Sequence, residues 1–525
     1  MSPSLRSRAR WVILAVVGLP ALVAACFLGV STGTRPRERD LTTTTSVRSP
    51  VRAHLKDGST VIYENGFSVR DNMVSSRSAR ARRIGPANEP IALTPIALDS
   101  IVGLESFHAR INPVGSFLVS ALATAGAALG TAVLAVAIFG SCPTIYADSA
   151  GTPVLQAEVF ATRISSLLEA RDIDLLSARP DSAGILRLEV RNEALETHYI
   201  NHFELLEVRH PRDRTLIPDE HGRPLLTGPT IVALGARDRA GRDLVRTLDR
   251  SDGVIFETDS AALSRASAQD PFDWVDLTFP KPAGDSAVIG LHLRNSLLNT
   301  VLLYDLMLAR PGARSLDWLA TDMRRIGPAL QFGRWYREHF GLRVFVYDGA
   351  KWKEIERHPT YGPVAWREAA TVVPVLQRDS LRVRLRFAAD EWRIDRAWMA
   401  GDFTRPRMRT ISIAGIEGVP DSAARTTREQ LRSADERYLE TLPGQRFWVR
   451  FETGAERPGE TRTFLLASRG WYTEWIRGAW VKQATDTTTF RPGRASLDEA
   501  FRRWGGRRDS VTKEFFATRV PVATR

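Results

Sequence analysis

Cysteine is nearly absent, with two in 525 residues, which excludes a disulfide framework and any zinc site built on cysteine pairs. Lysine is scarce as well: it stands only at positions 56, 281, 351, 353, 482 and 513. The net charge of +12 is therefore carried almost wholly by arginine. Those arginines are spread along the chain and form no stripe, so nucleic acid is excluded as a partner. The P-loop, HExxH, dinucleotide-binding and CxxC patterns are all missing. One GxSxG match, Gly29-Val30-Ser31-Thr32-Gly33, follows an apolar leader and opens a linker, whereas a hydrolase elbow needs a strand before the serine and a helix after it. No catalytic residue, metal or cofactor is assigned, and the chain reads as a binding or scaffolding protein.

Charge is missing most completely between Arg110 and Asp148. Residues 117–139 are 23 uncharged positions, long enough for a helix to cross ~30 Å of hydrocarbon. The run 114–141 is therefore expected to be a transmembrane helix. Gly126 and Gly130 form a GxxxG pair that would let two helix backbones approach closely in lipid, so a homo-oligomer through this face is expected.

Residues 1–30 have the layout of an export segment. Arg6, Arg8 and Arg10 precede an apolar stretch from Trp11 to Leu22, followed by Val23-Ala24-Ala25-Cys26. That tetrad resembles a bacterial lipobox, by which Cys26 would be the lipidated residue. An uncleaved signal anchor ending near Val30 is the alternative, giving one or two membrane helices in all. The localisation expected is the bacterial cell envelope.

Residues 31–50, rich in Thr, Ser, Arg and Pro, read as a linker. Residues 51–113 carry five short apolar runs punctuated by Asp57-Gly58 and Asn65-Gly66, pairs that tight hairpins favour, and predict a small β domain. Beyond the uncharged run, residues 186–191, 381–387 and 447–451 alternate apolar and charged side chains as half-buried antiparallel strands do. Residues 344–355 read as a hairpin turning at Asp348-Gly349. Helices are expected near 239–248, 315–323, 425–434 and 497–504. The fold class is mainly β, with sandwich-like domains at 142–335 and 336–490 and a basic tail at 491–525. Leu188-Glu189-Val190-Arg191-Asn192 is echoed by Leu291-His292-Leu293-Arg294-Asn295, which suggests two related halves.

The run Ser141-Cys142-Pro143-Thr144-Ile145-Tyr146, with Leu188 to Thr197, Val208 to Pro211, Gly362-Pro363, Trp392 to Asp395 and Gly470-Trp471-Tyr472, resembles an uncharacterised family of bacterial membrane-associated, lipoprotein-like proteins. In that family an apolar segment leads into a Ser-Cys-Pro-x-x-Tyr motif and a long β-rich region. The resemblance implies an exported β region and no particular activity. Its glycine-rich stretch after the Tyr is replaced here by residues 147–151.

Two constellations are candidates for ligand chemistry. On one strand Glu196, His198, His202 and Glu204 would share a face, but i and i+4 lie ~13 Å apart at a rise of ~3.3 Å per residue, too far for both histidines to hold one ion. Asp273 and Asp276 stand close enough in sequence to form a carboxylate pair. Trp392, Asp395, Trp471 and Trp475 are candidates for binding a glycan, with aromatic faces stacking on sugar rings. Orientation is left open. A true crossing by 114–141 returns the large region to the cytoplasm, whereas a segment that only dips into the bilayer keeps it outside.

Overall fold

The computed structural model describes residues 45–86, 88–107, 142–266, 270–456, 459–484, 488–517 and 519–522. The expectations for residues 1–44 and 108–141, including Cys26, Gly126 and Gly130, lie outside them. The protein is mainly β, at 43% strand and 22% helix. Among the described residues no helix is long and apolar enough to cross a membrane.

Period-two alternation becomes strand where it was expected. In Ser380–Ala388 the side chains of Leu381, Val383, Leu385 and Phe387 point into a core while the arginines between them face out. Leu342–Tyr347 and Trp352–His358 pair as a hairpin, and Gly349 adopts φ +101° in its turn, a conformation open to glycine at no steric cost. Asp57-Gly58 likewise turns β1 (Val51–Leu55) back onto Thr60–Tyr63. Asn65-Gly66 makes no hairpin: Phe67–Arg70 leaves for a second sheet and pairs there with Thr45–Val47, a strand inside the expected linker.

The N-terminal strands form two antiparallel sheets, of four and five strands, and the second ends at β2 (Ile101–Ser106). They do not stand apart as a spacer domain. Leu104 and Ile476 exchange two backbone hydrogen bonds of 2.9 and 2.8 Å, and the His54 ring stacks on Trp475 at 3.8 Å. The backbone N–H of Ser49 donates to Asp317 over 2.9 Å. Val51, Leu104, Cys142, Leu306, Trp318 and Phe501 belong to one buried cluster.

This packing constrains how the chain meets a bilayer. A segment joining Phe107 to Cys142 that crossed once would leave the two flanks on opposite faces. Residues 45–107 and 142–522 share one core, which sets a condition for any crossing between them. The crossing expected of residues 114–141 lies outside the described residues.

The boundary at 335/336 is also replaced by a different division. Ile185–Arg191 lies between Thr144–Ser149 and Arg446–Glu452 in one five-stranded sheet. In another sheet β3 (Glu196–His210) pairs with β4 (Thr461–Glu474) over 14 positions. Side chains of both sheets meet in one cluster, with Ile145, Val190 and Phe447 against Ile200, Phe203 and Leu466. Between these strands the chain inserts two further sheets drawn from residues 231–295 and 342–400, packed around Leu277, Ile289, Phe387 and Ile394. Strands from before and after residue 335 thus pair with one another in both units.

The helices fill the seam. The expected helix at 239–248 shrinks to Val245–Leu248. Arg314–Ala320 and Asp421–Arg432 appear near their predicted places. The helix α1 (Ile326–His339) was not predicted; its apolar stripe is short, and only Ala329, Phe332 and Trp335 are buried. The basic tail is the long helix α2 (Arg494–Ala517). Leu497, Phe501, Trp504, Val511 and Phe515 recur at helical spacing and are buried, and the Trp504 indole N–H donates to Asp390 over 2.7 Å.

Candidate functional site

The seam between the two β units and the helices holds a partly open cavity of about 220 Å³. Its carboxyl groups come from three strand ends: Glu158 closes Thr152–Glu158, Glu196 opens β3 and Glu474 closes β4. Strand ends are where a side chain can leave the sheet core and still be held by a rigid backbone.

Glu196 and Glu474 are directly opposed in the antiparallel ladder. Opposed residues place their Cβ atoms about 5 Å apart, and like charges there repel. The two carboxyls hydrogen-bond to each other, which requires one of them to hold a proton. Burial raises Glu196 to about 8, with the charge of Glu158 adding to the effect. Burial and the charge of Glu196 likewise raise Glu474 well above the usual carboxylate range. His198, one step along the same face, lies 2.8 Å from Glu196 through Nε2. Burial pushes His198 down to about 3, so the imidazole is neutral and shares one proton with the Glu196 carboxyl across this contact.

Glu158 is held differently. Its Oε2 accepts the backbone N–H groups of Val364 (2.8 Å) and Ala365 (3.3 Å). Burial still raises its pKa. Gly362 makes this approach possible: a Cβ there would lie 2.0 Å from Glu158 Oε2. Glu158 Oε1 and Glu474 Oε2 are buried and have no hydrogen-bond partner among the described residues, a costly arrangement for a polar atom.

The remaining wall is apolar and aromatic. Leu302, Leu303, Tyr304 and Met307 come from the π-helix Leu302–Ala309, where the Arg310 N–H reaches Asp305 O over 3.1 Å. Such wide turns recur at functional sites. Phe332, Gly333 and Tyr336 come from α1, and a Cβ on Gly333 would meet nothing within 4 Å. Thr162, a β-branched lining residue, adopts φ +69°, which is rare for its type. The Cys142 thiol hydrogen-bonds Tyr472 and is kept protonated by burial.

The candidates named from the sequence are distributed elsewhere. Trp392 is fully buried, with its ring edge-on to Tyr361 at 5.7 Å. Asp395 is buried and accepts the Gly253 N–H over 3.0 Å. Trp471 stacks on Tyr199 at 4.1 Å, and the Trp475 indole N–H donates to Thr197 over 2.9 Å. None of the four presents an exposed aromatic face. Asp273 points inward to Thr258, whereas Asp276 faces out and holds Arg384, so they are not a pair. The shared face of Glu196, His198, His202 and Glu204 is broken by a bulge between Ile200 and His202. The extra residue inverts the alternation and turns His202 and Glu204 away from His198. Of that constellation only Glu196 lines the cavity. Glu158 and Glu474 carried no local pattern by which to find them.

Among the described residues, metal-ligand atoms of three side chains come within 4.8 Å of one another at Glu220, His221 and Glu356. None of those three lines the cavity.

No family model matches the chain, and no curated protein matches it. Solved structures offer faint likenesses. One is a GH31 alpha-xylosidase from Xanthomonas citri, 10% identical over 82% of this chain and 38% of that one, with a TM-score of 0.16. Another is the infectious bursal disease virus Gx strain, 10% identical over 72% and 85%, with a TM-score of 0.15. The chain thus spans well under half the length of the xylosidase, and scores this low carry no argument.

Proposed function

We propose that this is a bacterial envelope protein that binds a small ligand in the seam cavity without transforming it. Residues 1–30 and the uncharged run 114–141 would anchor it, with its paired, sandwich-like sheets on one face of the membrane. The observation that carries the reading is the cavity lined by Glu158, Glu196 and Glu474, in which the buried Glu158 Oε1 lacks a partner among the described residues. A non-catalytic role is supported by the state of its reactive groups: Cys142 is held as a thiol, His198 is neutral, and Glu196 and Glu474 engage each other. The test is saturation-transfer NMR on the purified full chain with a mixed set of small amines, alcohols and carboxylates, repeated on Gly333→Leu. The leucine side chain would occupy the open space beside Gly333. Signals seen with the natural chain and lost in the variant are expected; signals unaffected by the substitution would remove the cavity from consideration.

A second reading is action on envelope glycans. It is favoured by Glu196, which keeps a proton near neutrality as a general acid must, among the tyrosines of the cavity wall. Release of reducing ends from purified peptidoglycan by the natural chain, absent with Glu196→Gln, would support it; no release would end it. Lipidation at Cys26 is checked by intact mass after Cys26→Ser. Self-association through Gly126 and Gly130 is checked by cross-linking of the double leucine variant.

A further inference from the structure

We propose that the cavity binds a small organic cation: an ammonium group carried on an apolar or aromatic body. This rests on the cavity being a ligand site and names what the site selects. The lining brings three carboxyl side chains, Glu158, Glu196 and Glu474, to one cavity. Arg163 is the one guanidinium in that lining, and its charge acts on Asp172 and Asp174 outside it. Arg477, the cation nearest Glu196 and Glu474 in effect, lies outside the lining, with its guanidinium over the Trp480 ring at 4.1 Å and over Tyr304 at 5.0 Å.

The lining atoms without a partner among the described residues include carboxyl oxygens as well as the donors Arg163 Nε, Asn299 Nδ2 and the Tyr336 hydroxyl. Glu158 Oε1 is a buried acceptor with no partner among the described residues, and an ammonium is a compact, donor-only group that can satisfy it. A carboxylate or phosphate would meet three acids. A metal ion fits poorly, because among the described residues no three ligand atoms of the cavity converge within the 4.8 Å seen at Glu220, His221 and Glu356. The opposite wall, from Leu302, Leu303, Met307 and Phe332, suits an apolar body, and the faces of Tyr304 and Tyr336 attract a cation. The raised carboxyls support the assignment from another side: entry of a positive charge favours their ionised forms, so binding should release protons.

The experiment is titration calorimetry of the full chain in detergent with three near-isosteric probes: phenethylammonium, 2-phenylethanol and 3-phenylpropionate. Each titration is run in two buffers of different ionisation enthalpy. Phenethylammonium is expected to bind at least about tenfold more tightly than either other probe, with proton release, and to lose about tenfold in Glu158→Gln or Glu474→Gln, as expected for removing a charge-assisted contact. Melting curves establish that each variant is folded, and if one is not, the Gly333→Leu chain replaces it as the blocked control. Equal or tighter binding of 2-phenylethanol overturns the cation assignment while leaving the cavity as a site. Failure of all three probes also overturns it, and the NMR comparison with Gly333→Leu then decides separately whether the cavity binds anything.

Discussion

Arg52 and Glu440 are 388 positions apart in the chain, yet Arg52 Nη1 donates to Glu440 Oε2 over 3.0 Å with both side chains buried. Glu105 joins from the other side at 3.7 Å, and its Oε1 accepts the Tyr199 hydroxyl over 2.6 Å. Desolvation opposes the charge on Arg52, but the two carboxylates outweigh it and keep the guanidinium firmly protonated. The network clamps the N-terminal sheets to β3 and to Leu439–Thr441.

Breaking this pair from one side should be severe. Removing one partner of a buried ion pair costs about 3–5 kcal/mol, because the other charge is left uncompensated. Arg52→Met and Glu440→Gln are each expected to lose that much in urea unfolding. A loss below about 1 kcal/mol, the scale of exposed pairs, would show that the N-terminal sheets are not clamped here.

Gly333 sits inside α1 with open space where its Cβ would be. Glycine costs a helix interior about 0.5–1 kcal/mol relative to alanine, so Gly333→Ala should stabilise the protein by that amount. A lower melting temperature would mean that the space beside it is filled.

Gly362 is the opposite case. Any Cβ there collides with the Glu158 carboxyl, and overpacking of this kind costs about 1–3 kcal/mol. Gly362→Ala is expected to lower stability and to weaken probe binding together, since Glu158 must leave the Val364 and Ala365 amides. Unchanged binding would separate Glu158 from the site.

Stability should fall as pH rises from about 6.5 to 8. Glu196 is raised from 4.5 to about 8 and Asp174 from 3.8 to about 8, so in this window the folded chain holds protons that the unfolded chain has released. The slope of unfolding free energy with pH is then negative. Below pH 6.5 an opposing trend sets in. His198 and His358, depressed to about 3 and 4, protonate in the unfolded chain first and favour unfolding as pH drops. Glu196→Gln should flatten the decline between 6.5 and 8 in a series of melting curves; an unchanged slope would contradict the raised carboxyl.

The strands were legible where one face is buried and the other wet, as in Ser380–Ala388, because period two leaves a direct imprint on the residue order. The Asp348-Gly349 turn was legible for a similar local reason. Asn65-Gly66 was legible as a turn but not as to which strands it separates, since that depends on a partner at Thr45–Val47. The bulge after Ile200 left no mark in composition, and it alone decides that His202 faces away from His198. The cavity was least visible of all. Glu196 and Glu474 meet only because β3 pairs with β4 from far along the chain, Glu158 joins them from a strand of another sheet, and nothing near Glu158 or Glu474 distinguishes them from surface carboxylates. The aromatic residues chosen as ligand candidates, Trp392, Trp471 and Trp475, proved to be packing residues, the commoner use of tryptophan in a sheet core.

That residues 45–107 and 142–522 are one body is tested most directly by protease shaving of spheroplasts. Two epitope tags are compared in one chain, one inserted in the loop between Arg82–Ile84 and Pro90–Ile91 and one at the C-terminus. Both tags should be digested together, or both protected until detergent is added. Digestion of one with protection of the other would contradict the shared core and support a single crossing by residues 114–141.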